Sequence, residues 1–389
     1  MFEIFFWFMI GLVFYVYAGY PLVLYVLSLV MKQKIDKSPI EPAVSVLISA
    51  YNEEKVIERR IENLLSLDYP QEKLEILIGS DGSKDRTNEI VAGFAGQNVH
   101  LLSSAGNSGK PSVLNKLAKI AKGDILVLTD SRQEFDAGAI RALVRNFNDP
   151  AVGCVSGELH FKQENLQQVG KGMGAYWRYE KFLRKKEAEI GSMLGATGAI
   201  YAVRKELFPD TPADVLVDDM YIPLSIIKRG YRAVFESDAC AYDVPSERSD
   251  QEFTRKVRTL IGNYQIYGYF KQLFVPFLSP IALQLISHKL LRLFVPFLLI
   301  GILALNVFLL EQRFYLVLFL AQVLFYGLAW FESMYEKSGL KVNEQGEKVP
   351  RKSVGYIPYI FCILNYSAFV AFFRYIRGKY HIVWEKAYK

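Results

Sequence analysis

Residues 44–54 read VSVLISAYNEE. An apolar, β-branched run ends in a polar cluster, Tyr51-Asn52-Glu53-Glu54. Such a run, bounded by turn-forming residues, reads as a strand covered on both faces, the usual condition of strands in parallel sheets. The pattern returns at 74–79, 99–103, 124–129, 152–156, 199–204 and 232–236, and helical periodicity fills several intervals, as at 54–66, 87–94 and 112–121. Strands alternating with helices predict an α/β domain around a mostly parallel sheet. Ligands of such sheets bind beyond the carboxyl ends of the strands, so the residues just past each run matter most.

Those ends are polar. After the second run come Asp81-Gly82-Ser83, after the third Asn107-Ser108-Gly109-Lys110 with Asn115 a helical turn on, and after the fourth Asp130-Ser131-Arg132. Each alone is an ordinary turn, a solvated lysine or a helix cap. Standing in order at successive strand ends, with Tyr51, Asn52 and Glu53 after the first, they predict one shared nucleotide site. Gly-bearing loops there point backbone N–H groups at phosphate. The spacing fits neither a P-loop nor the glycine pattern of dinucleotide binding. Further on, Thr197-Gly198-Ala199 precedes a strand and Asp218-Asp219 follows an apolar run. Neighbouring carboxylates at a helix start point to different sides. Two readings stand: one caps the helix while the other faces the cleft as a general base, or both only cap. Arg255-Lys256-Val257-Arg258 reads as a basic stripe on anionic lipid, which does not exclude a diphosphate contact. The cluster Tyr176-Trp177-Arg178-Tyr179 suits core packing or stacking on a sugar.

The composition changes on both sides of this block. A bilayer core of about 30 Å needs about 20 helical residues. Four uncharged stretches, 4–31, 293–310, 314–331 and 353–373, approach or exceed that length. The first has no basic n-region and no cleavage site, so it reads as a membrane helix, kinked at Pro21, rather than a signal peptide. Lys32, Lys34 and Lys37 follow it, which puts the soluble block in the cytoplasm by the positive-inside rule. Residues 263–292 read as helices lying on that face, with Lys289 and Arg292 at the interface. The loop 332–352, with five Lys or Arg, then belongs inside too. A fourth span would carry the basic tail (Arg374, Arg377, Lys379, Lys386, Lys389) outside. Either 353–373 is re-entrant or interfacial, as Pro358 and Asn365 allow, or the rule fails there.

The whole chain agrees with this division. It has 389 residues, 51% hydrophobic, with a net charge of +6 and a mean hydropathy of +0.14. That excludes a disordered chain. The three cysteines, Cys154, Cys240 and Cys362, are odd in number and far apart, which excludes a disulfide scaffold. No Cys/His cluster has zinc spacing. With membrane segments present, the positive charge reads as facing lipid and phosphate, not nucleic acid.

With these residues in view, the chain resembles the membrane-embedded family 2 glycosyltransferases: cellulose, chitin, hyaluronan and poly-N-acetylglucosamine synthases. Residues 45–54 resemble their opening strand, Asp81-Gly82-Ser83 their nucleotide-binding DGS, and Gly109-Lys110 with Asn115 their GK…N. Asp130-Ser131-Arg132 stands in the place of their D-x-D, Thr197-Gly198-Ala199 resembles their acceptor-site strand, and Asp219 matches their catalytic base. Arg258 matches the arginine of their Q-x-x-R-W. Three departures stand out: Arg132 replaces the second Asp of D-x-D, Ser80 the first of D-D-G-S, and Arg255 and Thr259 the Q and W.

The resemblance implies an α/β GT-A (Rossmann-like) cytoplasmic domain plus α-helical transmembrane and interfacial helices. The expected division is a membrane helix at 1–36, the GT-A domain at 37–262, interfacial helices at 263–292 and a membrane region at 293–389. It implies inverting transfer from a UDP-sugar to the end of a growing glycan, by a processive exopolysaccharide synthase in the inner membrane. The alternatives are a non-processive transferase to a lipid-phosphate acceptor and a non-catalytic relative. Asp219 and Asp218 would be catalytic. Tyr51, Asn52, Glu53, Asp81, Gly82, Lys110, Asn115, Asp130, Arg255 and Arg258 would hold nucleotide and diphosphate. Thr197, Gly198 and Trp177 would meet the acceptor, and Asp130 a divalent cation, Mg or Mn, which Arg132 puts in question. Partners implied are the UDP-sugar donor, a glycan or lipid-linked acceptor and the bilayer. Four spans are few for a polymer channel, so a homo-oligomer or secretion partner is implied as well.

Overall fold

β1 (Val44–Ala50) is buried at every position, as its sequence requires. The computed structural model of the protein describes residues 1–161, 171–243, 249–276, 279–337 and 354–380. β1 lies in parallel between β2 (Leu74–Asp81) and β4 (Ile125–Thr129), with Val44 opposite Leu74 and Ile125. β3 (Val99–Ser104), β5 (Glu134–Phe135), β6 (Val152–Phe161), β7 (Tyr201–Arg204) and β8 (Arg232–Asp243) complete one sheet, in the order β3-β2-β1-β4-β7-β6-β8-β5.

Alternating side chains feed two cores. Val44, Val46 and Ile48 pack with Ile57, Ile61 and Leu64 of the helix Ile57–Leu65 on one face. Leu47 and Leu126 pack with Leu114 and Leu117 of the helix Lys110–Ile120 on the other.

The sheet is mostly parallel, as expected, but mixed: β7 and β5 run against the other six strands. β7 runs antiparallel to both β4 and β6, and β5 antiparallel to β8. The cause is where β7 begins. The Thr197 N–H donates to Ser156 Oγ (3.0 Å) and Thr129 Oγ1 to the Ala199 carbonyl (2.7 Å). These bonds pin 197–199 beside the carboxyl end of β4 and the middle of β6, so β7 starts where β4 finishes. That reversal also delivers the Thr197-Gly198 loop to the ligand-binding edge.

Four helices are long and apolar enough to cross a membrane: Phe2–Val30, Ala282–Val307, Arg313–Tyr335 and Tyr356–Ile376. Around Pro21 the first is re-registered by a π turn at Tyr15–Gly19, which absorbs the missing proline N–H. The second begins earlier than expected, at Ala282, and passes through its own π turn at Leu285–Leu290. The boundary expected at 263 falls inside the helix Ser249–Tyr269, and the one at 292 falls inside this second apolar helix. His288 and Arg292 of this helix meet acids of the soluble block. His288 Nδ1 lies 2.8 Å from Glu187 Oε1 and Nε2 3.3 Å from Glu180 Oε2, and Arg292 pairs with Glu180. Tyr20 of the first helix donates to the same Glu187 oxygen at 2.8 Å.

The helix Tyr356–Ile376 is continuous over 21 residues, without the break a re-entrant segment needs. Pro358 lies in its first turn, where a missing N–H costs nothing, and Asn365 bonds back to the Phe361 carbonyl at 2.8 Å. Most of the basic loop at 332–352, and Lys386 and Lys389 of the tail, lie outside the described residues.

Candidate active site

Two loops at the ends of β1 and β2 are laced together. The Asn52 N–H donates to Ser83 Oγ (3.0 Å), the Lys84 N–H to Asn52 Oδ1 (2.7 Å), and the Glu53 N–H to Thr87 Oγ1 (2.8 Å). Ser80 Oγ donates to Ser83 Oγ at 2.9 Å and is fully buried, so a hydroxyl closes the turn where an aspartate would bury a charge. Gly82 has φ +75°, and a Cβ there would come within 2.9 Å of the Gly106 backbone. Only glycine lets this turn approach the loop after β3 so closely.

Asp81 is 1% exposed. Its carboxylate accepts from Ser108 N (2.8 Å), Ser108 Oγ (3.0 Å) and Gly109 N (2.8 Å). It thereby fixes the loop ahead of the helix Lys110–Ile120. Asn115 is likewise committed: its amide donates to the Thr211 carbonyl (2.8 Å) and accepts from the Thr211 N–H (3.0 Å). Both residues brace the walls of the site.

The loop so held presents Lys110 to three acids. Its Nζ lies 2.8 Å from Asp130 Oδ1 and 3.4 Å from Asp218 Oδ2. Burial pulls the ammonium pKa down, but Asp130, Asp218 and Asp219 more than reverse that, and Lys110 stays charged. Asp218 and Asp219 open the helix Asp218–Lys228. Neither caps it with its side chain, contrary to the capping reading, because both turn toward the cleft's charges. Asp218 Oδ2 also receives the Tyr201 hydroxyl at 3.4 Å. Burial and the charge of Asp218 push the Asp219 carboxyl up to about 6, against the pull of Lys110 and Arg184. Gly198 borders it: a Cβ there would stand 3.5 Å from Asp219 Oδ2.

Arg258 comes from the helix Ser249–Tyr269, which is clamped to the segment before Asp218. Gln265 accepts from Leu216 N (3.0 Å) and donates to the Asp214 carbonyl (2.8 Å). A Cβ on Gly262 would meet Val217 at 2.6 Å, so the helix touches that segment directly. Arg258 is mostly buried, with its Nε unpartnered. Burial lowers its pKa, while Asp218 and Asp130 act to raise it.

Trp177 packs edge to face on Phe161 and Tyr176, with ring centres 5.6 and 6.5 Å away. Arg255 is exposed. Arg132 Nη2 lies 3.8 Å from Asp243 Oδ2. Tyr201 and Arg184 were not singled out in the sequence. Tyr201 closely follows Gly198 and faces Asp218, a signal readable only once β7 is known to run antiparallel.

Among the described residues no three His, Cys, Asp or Glu side chains group to hold a metal. The donor set still fits a cation bound chiefly by phosphate oxygens, the usual manner for Mg²⁺. Asp130 would supply one carboxylate oxygen, since its other accepts from Lys110.

Residues 45–211 match the family described as glycosyl transferase family 2. A poly-beta-1,6-N-acetyl-D-glucosamine synthase of Staphylococcus aureus (strain COL) is 26% identical over 245 residues, covering 61% of this chain and 58% of that protein. The probable glycosyltransferase YdaM of Bacillus subtilis (strain 168) is 26% identical over 252 residues, covering 60% of this chain and 58% of that protein. The chain thus spans less than two thirds of the length of these curated relatives. The mannosyltransferase PcManGT of Pyrobaculum calidifontis, solved with GDP-Man and Mn²⁺, superposes with a TM-score of 0.71 over 98% of this chain and 100% of that one, at 21% identity. That is a likeness of fold. Built on the GT-A-like mixed sheet and joined to four apolar helices, residues 45–211 are a glycosyl transferase family 2 domain.

Proposed function

We propose that the protein moves a sugar from a UDP-sugar, of the UDP-N-acetylglucosamine or UDP-glucose type, to the end of a growing glycan with inversion at the anomeric carbon. The observation that carries this reading is Asp219, a half-buried carboxyl bordered by Gly198 and pushed up to about 6. A base poised just below neutral pH suits proton removal from a sugar hydroxyl. As the hydroxyl oxygen bonds to C1, its proton passes to Asp219, the C1–O bond to diphosphate breaks, and UDP leaves. Charge builds on the diphosphate, where Lys110 and the free Nε of Arg258 stand as fixed cations. Asp130 would hold a divalent cation, which when bound supplies further neutralisation of that charge. Tyr51, Asn52 and Glu53 would line the uridine side.

The S. aureus and B. subtilis relatives and the four apolar helices support a membrane-embedded polysaccharide synthase, and Lys32, Lys34 and Lys37 support a cytoplasmic side for its catalytic domain. One feature favours a second reading, transfer of single sugars to a lipid phosphate. A cavity of about 380 Å³ opens between the two π-turn helices, lined by Tyr15, Pro280, Leu283, Ile286 and Leu291. Such an apolar cleft suits an acyl or prenyl chain.

The test is UDP release by the full chain in lipid nanodiscs, across a panel of UDP-sugars, with Mg²⁺, Mn²⁺ or chelator. Turnover with one UDP-sugar and a ladder of products is expected. One sugar per lipid would move the assignment to the second reading. Silence with every UDP-sugar, with or without a lipid-phosphate acceptor, would overturn both.

A further inference from the structure

Arg60 heads the largest fully buried side chains of the protein and is 1% exposed. Arginine is almost never fully buried unless paired with a counter-ion. Arg60 forms no ion pair among the described residues. Its Nη1 donates to Asn63 Oδ1 (2.7 Å), its Nη2 to Thr129 Oγ1 (2.9 Å), and its Nε has no partner. The guanidinium lies 4.1 Å from the centre of the Phe135 ring.

The partners form a pattern. Asn63, one helical turn on, exchanges two bonds with Phe135: Nδ2 to the carbonyl at 3.0 Å, and the N–H to Oδ1 at 2.8 Å. Arg60 and Asn63 thus grip both ends, Thr129 and Phe135, of the loop carrying Asp130 and Arg132. Arg59 adds an ion pair to Glu134 at 2.9 Å. The chain of bonds then continues. The Thr129 hydroxyl accepts from Arg60 and donates to the Ala199 carbonyl at 2.7 Å, the shorter of its two contacts to acceptors, the other being the Asp130 carbonyl at 3.3 Å. Ala199 directly follows Gly198, the neighbour of the Asp219 carboxylate.

We propose that Arg60 is a positioning residue which, through Thr129, sets the spacing between the diphosphate side of the site (Asp130, Lys110) and its acceptor side (Gly198, Asp219). Its catalytic consequence rests on the glycosyltransferase reading; the clamp itself does not. Burial pulls the guanidinium down to about 9, and Asp130 and Glu134 act the other way, so it remains a cation at neutral pH behind the acidic loop.

Hydrogen exchange and turnover on the full chain in nanodiscs test this with Arg60→Met, Thr129→Val and Thr129→Ser. Arg60→Met and Thr129→Val should speed exchange about tenfold in both 130–135 and 195–200, leaving β1 and β2 unchanged. They should lower kcat by about ten- to a hundredfold, as misplacement of reacting groups does, with donor KM moving less. Thr129→Ser should restore both readouts. Faster exchange in only one segment, uniform loosening of the domain, or unchanged turnover with both segments loosened would each overturn the proposal. Should Arg60→Met not fold, the Thr129 pair decides, since it leaves Arg60 in place. A wild-type protein silent with every donor would count against the glycosyltransferase reading, and the exchange comparison would still decide the clamp.

Discussion

Asp219 works where two opposing influences meet. Burial and Asp218 favour its neutral form, while Lys110 and Arg184 favour its anion. A base must be ionised to act, so kcat/KM should rise as pH passes upward through about 6. Asp218→Asn removes a like charge and should move that acid limb to lower pH. A limb that stays put or moves up would show that Asp219 does not set it. Asp219→Asn should cost about a hundredfold to ten-thousandfold in turnover with the fold intact by circular dichroism, as loss of general-base help does. Wild-type turnover in that variant would remove Asp219 from the mechanism.

The helix Ser249–Tyr269 is the element that brings Arg258 to the site, and its grip depends on the absence of a side chain at Gly262. Gly262→Ala drives a methyl into Val217. Overpacking of this kind costs about 1–3 kcal/mol. It should also raise donor KM, because Arg258 moves with the helix. Thermal unfolding and donor titration check the two effects, and an unchanged KM would mean Arg258 is not a diphosphate contact. The helix Ile57–Leu65 shows the same principle on the opposite face of the sheet. Ile57, Arg60, Ile61 and Leu64 follow the i, i+3, i+4, i+7 stripe of a buried face. Spacing alone therefore puts a guanidinium in the core.

For the whole molecule, the junction between the catalytic domain and the membrane helices is a buried polar knot. Glu180 and Glu187 on the helix Lys171–Ile190 meet His288 and Arg292 of one apolar helix and Tyr20 of another. Arg292 also stacks over Tyr17, Tyr176 and Tyr179 at 5.2–5.9 Å. Removing one partner of a buried pair strands the other, typically at about 3–5 kcal/mol. Arg292→Ala should therefore lower the unfolding temperature in detergent and expose the junction to proteolysis. Glu180→Gln, which keeps hydrogen-bonding capacity without the charge, should do less. Equal effects from the two would show that packing, not charge, holds the domain to its helices.

Local chemistry was legible in the sequence. The strands, most of their order along the chain, the four apolar helices and the polar residues at strand ends all follow from period and composition, which act within a few residues. Lys110, Asp130, Asp218 and Asp219 lie together because each ends or begins an element at one edge of the sheet. What needed the tertiary structure was direction and commitment. The reversal of β7 depends on bonds from Thr197 and Ala199 to strands far away in sequence. Asp81 and Asn115 carry residue types that bind nucleotides, yet their hydrogen bonds go to backbone that folding brings alongside. Arg60 and the His288 knot break the rule that charge seeks water. Only three-dimensional packing supplies the partners that make their burial tolerable.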